Sequence, residues 1–330
     1  MKEVVNLKKI IILLASIILT INFTNKNILN KVEEKNEYKI EETSNITIKS
    51  DIKNFYDIKI GDSESSVIHK IGKPSRKDIS EYGFYWSVYN QYENDFAMVG
   101  IYNDKVVALY SNSINSSEMM NIDFEKDINY VRSNYKPIKY KLKGNTRFMI
   151  NSKNEFDILK VDNKYITVFY DLHNNNKVTS YQIIKSEVEN SIKNIYPMNS
   201  DDLKESFENQ MIDLVNSIRY KYGLSKMNYC EKAKNSAVKH SEDMRNKNYF
   251  DHKNKNNESP FDRMKKEDIE YIRSGENIAA GQINAIYAHE ALMNSLGHRK
   301  NILGNYDNIG VGVSFGGHYK IYYTQNFYSE

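Results

Sequence analysis

Apolar positions at the start of the chain form one nearly unbroken segment. It extends from Ile10 to Phe23 with three small polar interruptions, and Lys8 and Lys9 precede it. The segment is shorter than the roughly 20 residues that comfortably span a bilayer, yet neither an Ala-x-Ala cleavage pattern nor a cysteine for lipidation follows it. We therefore predict an export signal over residues 1–23, favour an uncleaved signal anchor over a cleaved signal peptide, and expect the rest of the chain outside the cell.

Residues 24–52 lack a hydrophobic period. Asn, Lys, Glu, Ser and Thr dominate this part, and the scattered Ile residues offer too little apolar surface for a core. We predict a polar tether that holds the folded part of the protein away from the membrane, within the cell-wall layer.

Residues 53–188 carry a degenerate tandem repeat of hydrophobic positions. If one residue is deleted at Gly72, five positions of the first copy align with five of the second: Ile58, Ile60, Val67, Ile71 and Pro74 with Ile122, Phe124, Val131, Tyr135 and Pro137. Each copy then continues into strands, with hairpin turns at residues 103–104 and 174–176. We predict two units, each a helix followed by an antiparallel sheet, and interpret Trp86 as an ordinary strand residue.

Helical periodicity dominates after a polar linker, which we place at residues 189–204. Because the linker separates two segments with enough apolar residues for a core, we expect each to fold alone. The elements predicted behind it are a helix whose one apolar face holds Phe207, Met211, Leu214 and Ile218, helices over about 229–245 and 283–295, and strands over residues 309–315 and 319–327.

The composition narrows the possible function classes. A chain of 330 residues exceeds the usual size of one domain, which agrees with two domains and connecting segments. The net charge is only +3, and basic residues are interspersed with acidic ones, so we exclude nucleic-acid binding. Cys230 is the only cysteine, so no intramolecular disulfide can form, and we expect it to be a small buried residue.

Acid and imidazole side chains are concentrated in the last third of the chain, where five of the seven histidines lie between positions 240 and 318. The motifs Gly275–Ala279 and Ser295–Leu303 set an acid and a histidine among glycines and apolar residues, and Tyr249–His252 and Ser259–Met264 precede them. In this order the motifs resemble the CAP domain, the superfamily of cysteine-rich secretory proteins, venom antigens and plant pathogenesis-related proteins, in its bacterial exported form. The resemblance covers residues 205–330, and the repeat segment ahead of it is similar to the CAP-associated N-terminal domain.

The resemblance implies a fold and a site for this part of the chain. The overall fold class is α+β, with a C-terminal α-β-α sandwich preceded by the tandem-repeat domain. The family brings two histidines and acidic residues together in a cleft, here His252, Glu276 and His298, with Ser295 beside them. The first three are candidate ligands of a weak Zn²⁺ site, because two imidazoles and one carboxylate suit zinc. The alternative is a hydrogen-bonded structural cluster without metal.

Other chemistries find less support in the spacing of the residues. The family's second acid has no clear counterpart, since the expected helix carries Leu292 and Ser295 and places Glu290 one turn from Ser295. A metalloprotease motif fails because Met293 stands four residues after His289. A serine hydrolase lacks the Gly-x-Ser-x-Gly elbow.

Four more polar residues are expected to have structural roles. We expect His240 and His318 to be structural or exposed, because neither has an acid at a defined spacing. Arg299 and Asn301 are expected to satisfy free carbonyls at a helix end.

The leading hypothesis is a membrane-anchored or secreted protein on the extracellular face. Its CAP domain would bind a ligand or protein of the cell envelope through the His/Glu-lined cleft. The alternatives are a metal-assisted hydrolase acting on peptide or cell-wall material, and a scaffolding protein that acts through its tandem-repeat domain. Binding is favoured over catalysis, because fold and motif do not fix a reaction.

Overall fold

The computed structural model describes residues 57–91, 96–114 and 116–330, together with the backbone of residues 10–12 and 18–24. The predicted tether beyond residue 24 and the rest of the predicted signal segment lie outside the described residues. Within the described part of the chain, no helix is both long and apolar enough to cross a membrane.

Helices and strands are mixed along the chain in an α+β arrangement. The helices are α1 (Glu64–Ile71), α2 (Ile128–Asn134), α3 (Ser186–Ser191), α4 (Asp201–Lys221), α5 (Glu231–Lys247), α6 (Pro260–Lys265), α7 (Ala285–Met293) and α8 (Leu296–Ile302). The strands are β1 (Ile10–Ile12), β2 (Ile18–Thr24), β3 (Arg76–Ile79), β4 (Tyr85–Tyr89), β5 (Ala97–Tyr102), β6 (Lys105–Ser111), β7 (Tyr140–Lys143), β8 (Thr146–Met149), β9 (Phe156–Val161), β10 (Lys164–Asp171), β11 (Lys177–Lys185), β12 (Asn228–Tyr229), β13 (Arg273–Ala280), β14 (Asn308–Phe315) and β15 (Ile321–Ser329).

Seven strands of the N-terminal half form a single antiparallel sheet. Their order is β3-β4-β5-β6-β11-β10-β9. The prediction gave each unit its own sheet, but β6 pairs with β11 and joins the strands of both units. Pairing the two edges satisfies backbone groups that separate sheets would leave open. The hairpin β7–β8 lies outside this sheet and pairs with β1.

Helices α1 and α2 pack in one hydrophobic core with this sheet. Ser63 caps α1 by accepting a hydrogen bond from the Ser66 amide, and Asp127 caps α2 by accepting one from the Tyr130 amide. The core holds or contacts all eight residues that share a position in the aligned copies and are not proline: Ile58, Ile60, Val67, Ile71, Ile122, Phe124, Val131 and Tyr135.

The C-terminal half is built on a five-stranded sheet of order β12-β14-β15-β13-β2. The predicted apolar face of α4 is confirmed, because its four residues are all buried. The predicted strands are confirmed as β14 and β15, and Gly316 and Gly317 take positive φ between them. β13 was not predicted, yet it pairs with β15 along its full length.

Helix α5 approaches β14 with no side chain between the two backbones at two positions. A Cβ on Gly310 would lie 2.1 Å from the Lys234 amide nitrogen, and one on Gly312 would lie 2.1 Å from the Val238 amide nitrogen. Only glycine permits such an approach. Ser241 of α5 also donates a hydrogen bond to the Gly312 carbonyl oxygen (2.9 Å).

One hydrophobic core runs through both halves of the protein. The sheet face opposite α1 and α2 contributes Trp86 and Phe169, and α4 and α7 contribute Phe207 and Tyr287. The rings of Phe169 and Tyr287 meet edge to face with centroids 5.1 Å apart. Trp86 is thus a buried strand residue, as predicted. Within the predicted linker, α3 ends at residue 191 and α4 begins at residue 201.

Candidate functional site

Glu276 on β13 is completely buried and has two polar partners. Its Oε1 lies 2.8 Å from His252 Nδ1, and its Oε2 accepts a hydrogen bond from Arg263 Nη2 (2.6 Å). Neighbouring side chains of a strand point to opposite faces. The Glu276 side chain therefore contacts His252 and Arg263, whereas the Asn277 side chain contacts α8 on the opposite face of the sheet.

The polar neighbours of Glu276 keep its carboxyl group ionised. Burial alone would raise the pKa of its carboxyl, but the Arg263 guanidinium, His240 and the hydrogen bond with His252 lower the pKa to about 2. Because an ionised carboxylate only accepts hydrogen bonds, His252 Nδ1 carries the proton that they share. In the neutral imidazole, His252 Nε2 then presents a lone pair.

Local structure brings His252 and Arg263 to the carboxylate. α5 ends where Asn248 takes a left-handed conformation (φ 56°), after which the chain turns back toward the sheet. A capping box between Ser259 and Asp262 begins α6 just ahead of Arg263. Arg263 Nη1 also donates to the carbonyl oxygen of His252 (2.8 Å). One guanidinium therefore fixes both the carboxylate and the loop that carries the imidazole.

His240 belongs to the same cluster, although it was expected to be structural or exposed and was not assigned to the site. It is buried on α5, with Nε2 3.0 Å from the Asp251 carbonyl oxygen and 3.9 Å from Glu276 Oε1. Burial lowers the pKa of His240 to about 4, against the opposing effect of Glu276, so the ring is neutral at neutral pH. In the described part of the chain, His240 Nδ1, His252 Nε2 and Arg263 Nε have no hydrogen-bond partner.

His298 and Ser295 form a second contacting pair, on α8. Ser295 Oγ lies 2.7 Å from His298 Nδ1. Side-chain amides tie α8 to β13, because Asn277 Nδ2 donates to the His298 carbonyl oxygen (3.2 Å) and Asn301 Nδ2 donates to the Glu276 carbonyl oxygen (3.2 Å). The prediction that Asn301 satisfies helix-end carbonyls is wrong, since β13 rather than a helix end lies beside it.

The structure thus places the four predicted cleft residues in two contacting pairs, His252 with Glu276 on one face of β13 and His298 with Ser295 on the other. Both imidazoles are almost inaccessible, since His252 is 2% exposed and His298 1%. Ser295 is half-buried at the start of α8. The carboxylate of the His252–Glu276 pair also forms an ion pair with Arg263.

Glu276 does not fit the role of a metal ligand. Both of its oxygens are engaged, and the Arg263 cation beside Oε2 would repel a divalent ion. Among the residues that the structure describes, no group of three His, Cys, Asp or Glu side chains is placed to hold a metal. His252 fits better, because Nε2 is unpartnered and a carboxylate that orients the other ring nitrogen is typical of histidine ligands. Of the three predicted zinc ligands, His252 therefore fits best, with Glu276 orienting its ring, whereas His298 lies on the other face of β13.

Glu290 lies at the boundary between the two halves. Its Oε1 accepts hydrogen bonds from Tyr110 Oη (3.3 Å) and Ser180 Oγ (2.5 Å), which belong to β6 and β11. Burial raises the pKa of Glu290 to about 7. The neighbouring His289 is buried, and burial together with Arg299 lowers its pKa to about 3.

Arg299 satisfies a helix-end carbonyl, as predicted, and also crosses to the N-terminal half. Its Nη1 donates to the carbonyl oxygen of Met293, the last residue of α7 (3.2 Å). The guanidinium holds both oxygens of Asp171 at 3.1 and 2.8 Å and donates to Tyr222 Oη. His318 is exposed, in line with expectation. Cys230 is only half-buried and accepts a hydrogen bond from Tyr328 Oη (3.2 Å), so the prediction of a buried cysteine is wrong.

Two family models match the chain in the order that the motifs suggested. The CAP-associated N-terminal model matches residues 60–195, and the model of the Cysteine-rich secretory protein family matches residues 212–327. The chain is also similar to the uncharacterized membrane protein YlbC of Bacillus subtilis (strain 168). The two are 30% identical over 287 residues, which cover 81% of this chain and 82% of that protein.

Two solved structures share the fold. An extracellular protein containing a SCP domain from Bacillus anthracis superposes with a TM-score of 0.70 at 24% identity, covering 90% of this chain and 100% of that one. A cysteine-rich secretory protein, SAV1118, from Staphylococcus aureus superposes with a TM-score of 0.65 at 16% identity, covering 82% and 91%. At these identities the likeness concerns the fold alone.

Proposed function

Since the chain belongs to the cysteine-rich secretory protein (CAP) family, with a CAP-associated N-terminal domain ahead of its CAP domain, we propose that it binds a ligand or protein of the cell envelope. The observation that carries this proposal is the buried His252 imidazole, which is fixed through Nδ1 by an ionised carboxylate and has an unpartnered Nε2. Such a lone pair receives a hydrogen-bond donor or a metal ion. The half-buried Ser295 beside His298 extends the proposed site toward the surface.

Binding is favoured over hydrolysis by the ionisation of Glu276. A general base works best when its pKa lies near the working pH. The pKa of Glu276 is about 2, and both of its oxygens already have a hydrogen-bond partner. The carboxylate therefore orients an imidazole and contributes little as an acid or a base.

The proposed location is the outer face of the cell membrane. The lysines ahead of the apolar segment over residues 10–23 favour export, and the relative YlbC carries the name of a membrane protein. We propose that the segment acts as an uncleaved signal anchor, which requires β1 and β2 to leave their places beside β8 and β13 when the segment enters the membrane. External protease should then digest the CAP domain in intact cells while the N-terminus stays in the membrane fraction. Recovery of the protein from the medium with its N-terminus beyond residue 23 would rule out the anchor.

Two finer architectural features form part of the proposal. The N-terminal domain is proposed to be a tandem repeat, which is supported by equivalent bridges from each helix cap to its hairpin, Ser63 to Lys105 and Asp127 to Lys177. The CAP domain is proposed to be an α-β-α sandwich, which is supported by the packing of α5 on β14 and of α8 on β13.

Zinc titration tests the site without knowledge of the natural ligand. We propose weak Zn²⁺ binding at His252 Nε2 at pH 7.5, which falls toward pH 6 as imidazole protonation competes. Replacement of His252 by alanine should abolish binding in calorimetry, whereas His298→Ala, on the other face of β13, and His69→Ala, an exposed histidine on α1, should not. If the parent protein binds no zinc, the metal part of the proposal is wrong and a direct ligand contact at His252 Nε2 is left to test by capture from envelope extracts with and without His252→Ala.

A further inference from the structure

The junction between α7 and α8 is held by the N-terminal domain. Asn294 is the first of the two residues between the helices, and three of its polar atoms bond to the end of β10 and the loop behind it. Its Oδ1 accepts from the Leu172 amide (2.9 Å), its Nδ2 donates to the Tyr170 carbonyl oxygen (2.9 Å), and its own carbonyl oxygen lies 2.9 Å from His173 Nε2. These three contacts determine the path of the chain just before Ser295.

An ion pair anchors the same junction from the side of α8. Asp171 lies between Tyr170 and Leu172 in the sequence, and both of its oxygens accept from Arg299. The side chains are largely buried, with 10% of Asp171 and 13% of Arg299 exposed, so solvent screens the pair only weakly. Arg299 also holds the Met293 carbonyl oxygen at the end of α7. The ion pair therefore fixes the end of one helix to the start of the next.

Helix α8 needs such an anchor because it is short and poorly capped. It has seven residues, and its N-cap Ser295 makes no side-chain capping bond to the helix backbone. The Ser295 hydroxyl is directed to His298 Nδ1 instead. A helix of two turns is unstable without outside contacts. The position of the Ser295–His298 pair thus depends on what holds the residues on either side of it.

We infer that the β10–β11 loop of the N-terminal domain, through Asp171 and His173, positions the His298 imidazole, so that the site of the CAP domain is completed by its neighbour. The inference rests on the proposed function in assigning His298 to the site. It also distinguishes the two histidines, because His252 is held by Glu276 and Arg263 from within the CAP domain.

Histidine ring ¹⁵N spectra of the folded protein test this inference without any ligand. Ser295→Ala supplies the reference spectrum of a His298 ring that has lost its hydroxyl partner. Asp171→Asn should move the His298 ring nitrogen shifts toward that reference and leave those of His252 in place. The matched control is Asp213→Asn, which removes another buried carboxylate paired across the domain boundary, with Arg76 at 2.6 Å and Asn90 at 2.9 Å, two residues of the N-terminal domain that are not at the α7–α8 junction.

A milder variant covers the case in which Asp171→Asn disturbs the whole fold, as movement of the His252 resonances would reveal. His173 is exposed, and its ring contacts the Asn294 carbonyl oxygen, while its backbone amide, which alanine keeps, donates to Asp171 Oδ1. His173→Ala should therefore keep the fold and move the His298 shifts in the same direction by a smaller amount. The inference is overturned if His298 is unchanged in both variants, or if Asp213→Asn moves it equally. Because no zinc or other ligand is present, this result is independent of whether the zinc titration succeeds.

Discussion

The two imidazoles of the candidate site are held in different ways. His252 is fixed by an ionised carboxylate and a guanidinium, and both of these come from the CAP domain itself. His298 contacts a serine hydroxyl on a short helix, and the N-terminal domain holds the start of that helix. One side of the site is therefore self-contained and electrostatic, whereas the other depends on contacts between domains.

This difference shows that a motif and its support can lie far apart in the sequence. The Gly-Glu-Asn and Gly-His-Arg motifs look equivalent along the chain. In the fold, Glu276 of the first motif bonds His252 and Arg263, which are near it in the sequence. Arg299 of the second motif instead pairs with Asp171, 128 positions earlier. Substitutions around His252 and around His298 should therefore differ in the size of their effects, in the pH dependence of those effects and in how far from the substituted residue they extend.

Arg263→Met should have the largest effect. It leaves the Glu276 carboxylate buried with no cation, and loss of one partner of a buried pair costs about 3–5 kcal/mol. Denaturant unfolding at pH 7 should show this loss. Lys239→Met is the control, because Lys239 is mostly exposed in its pair with Glu267 and should change the stability by no more than about 1 kcal/mol. Equal losses in the two variants would contradict a self-contained ionic centre.

Glu290 lies at the boundary between the domains, and Glu290→Gln should change how the stability of the protein depends on pH. The pKa of Glu290 is raised from 4.5 to about 7, so the protonated form is favoured in the folded state. The stability that this provides is fully present below about pH 4.5 and is lost as the pH rises through 7, by at most about 3 kcal/mol. Relative to wild type, the glutamine variant should therefore gain stability between pH 5 and pH 8. A constant difference across that range would show that Glu290 does not titrate there.

Asp213→Asn should weaken the boundary between domains without separating them. Asp213 is buried and pairs with Arg76, and its loss should cost about 1–3 kcal/mol. Because one hydrophobic core crosses the boundary, we expect calorimetry to show a single transition in both proteins, at a lower temperature in the variant. Two separate transitions in the wild type would support the independent folding expected from the polar linker.

Ser295→Ala should have the smallest effect on stability. It removes one hydrogen bond at a half-buried position, a loss of about 1 kcal/mol. The ¹⁵N shifts of the His298 ring should move, while Arg263 and Glu276 keep the His252 ring in place. A shift no larger than that produced by Ser63→Ala, which removes a helix cap on α1, would mean that the hydroxyl does not orient His298.

The sequence predicted those elements whose hydrophobic spacing is regular. Residues at one helical period marked α4, and alternating residues marked β14 and β15. β13 could not be found in this way, because Ser274, Glu276 and Asn277 are polar and yet completely buried. Their burial depends on partners from other elements, which a local pattern does not contain.

The sequence identified the main residues of the candidate site but not the contacts that support them. Glu276 and His252 follow from the motifs, and they do contact each other. Arg263 and His240 also lie in the motif region, and the need of a buried carboxylate for a cation is the signal that could have identified Arg263. The contact of Arg299 with Asp171 required knowledge of which surfaces of the two domains meet.

Gly310 and Gly312 give the close packing of α5 a further meaning. Ordinary van der Waals contact of a Cβ atom begins near 3.4 Å, but the Cβ of an alanine at either position would lie 2.1 Å from a backbone nitrogen of α5. Either substitution must therefore move α5 away from the sheet. The same helix carries His240 to within 3.9 Å of Glu276. The distance between the His240 imidazole and the Glu276 carboxylate is therefore set by two residues of a neighbouring strand that have no side chain at all.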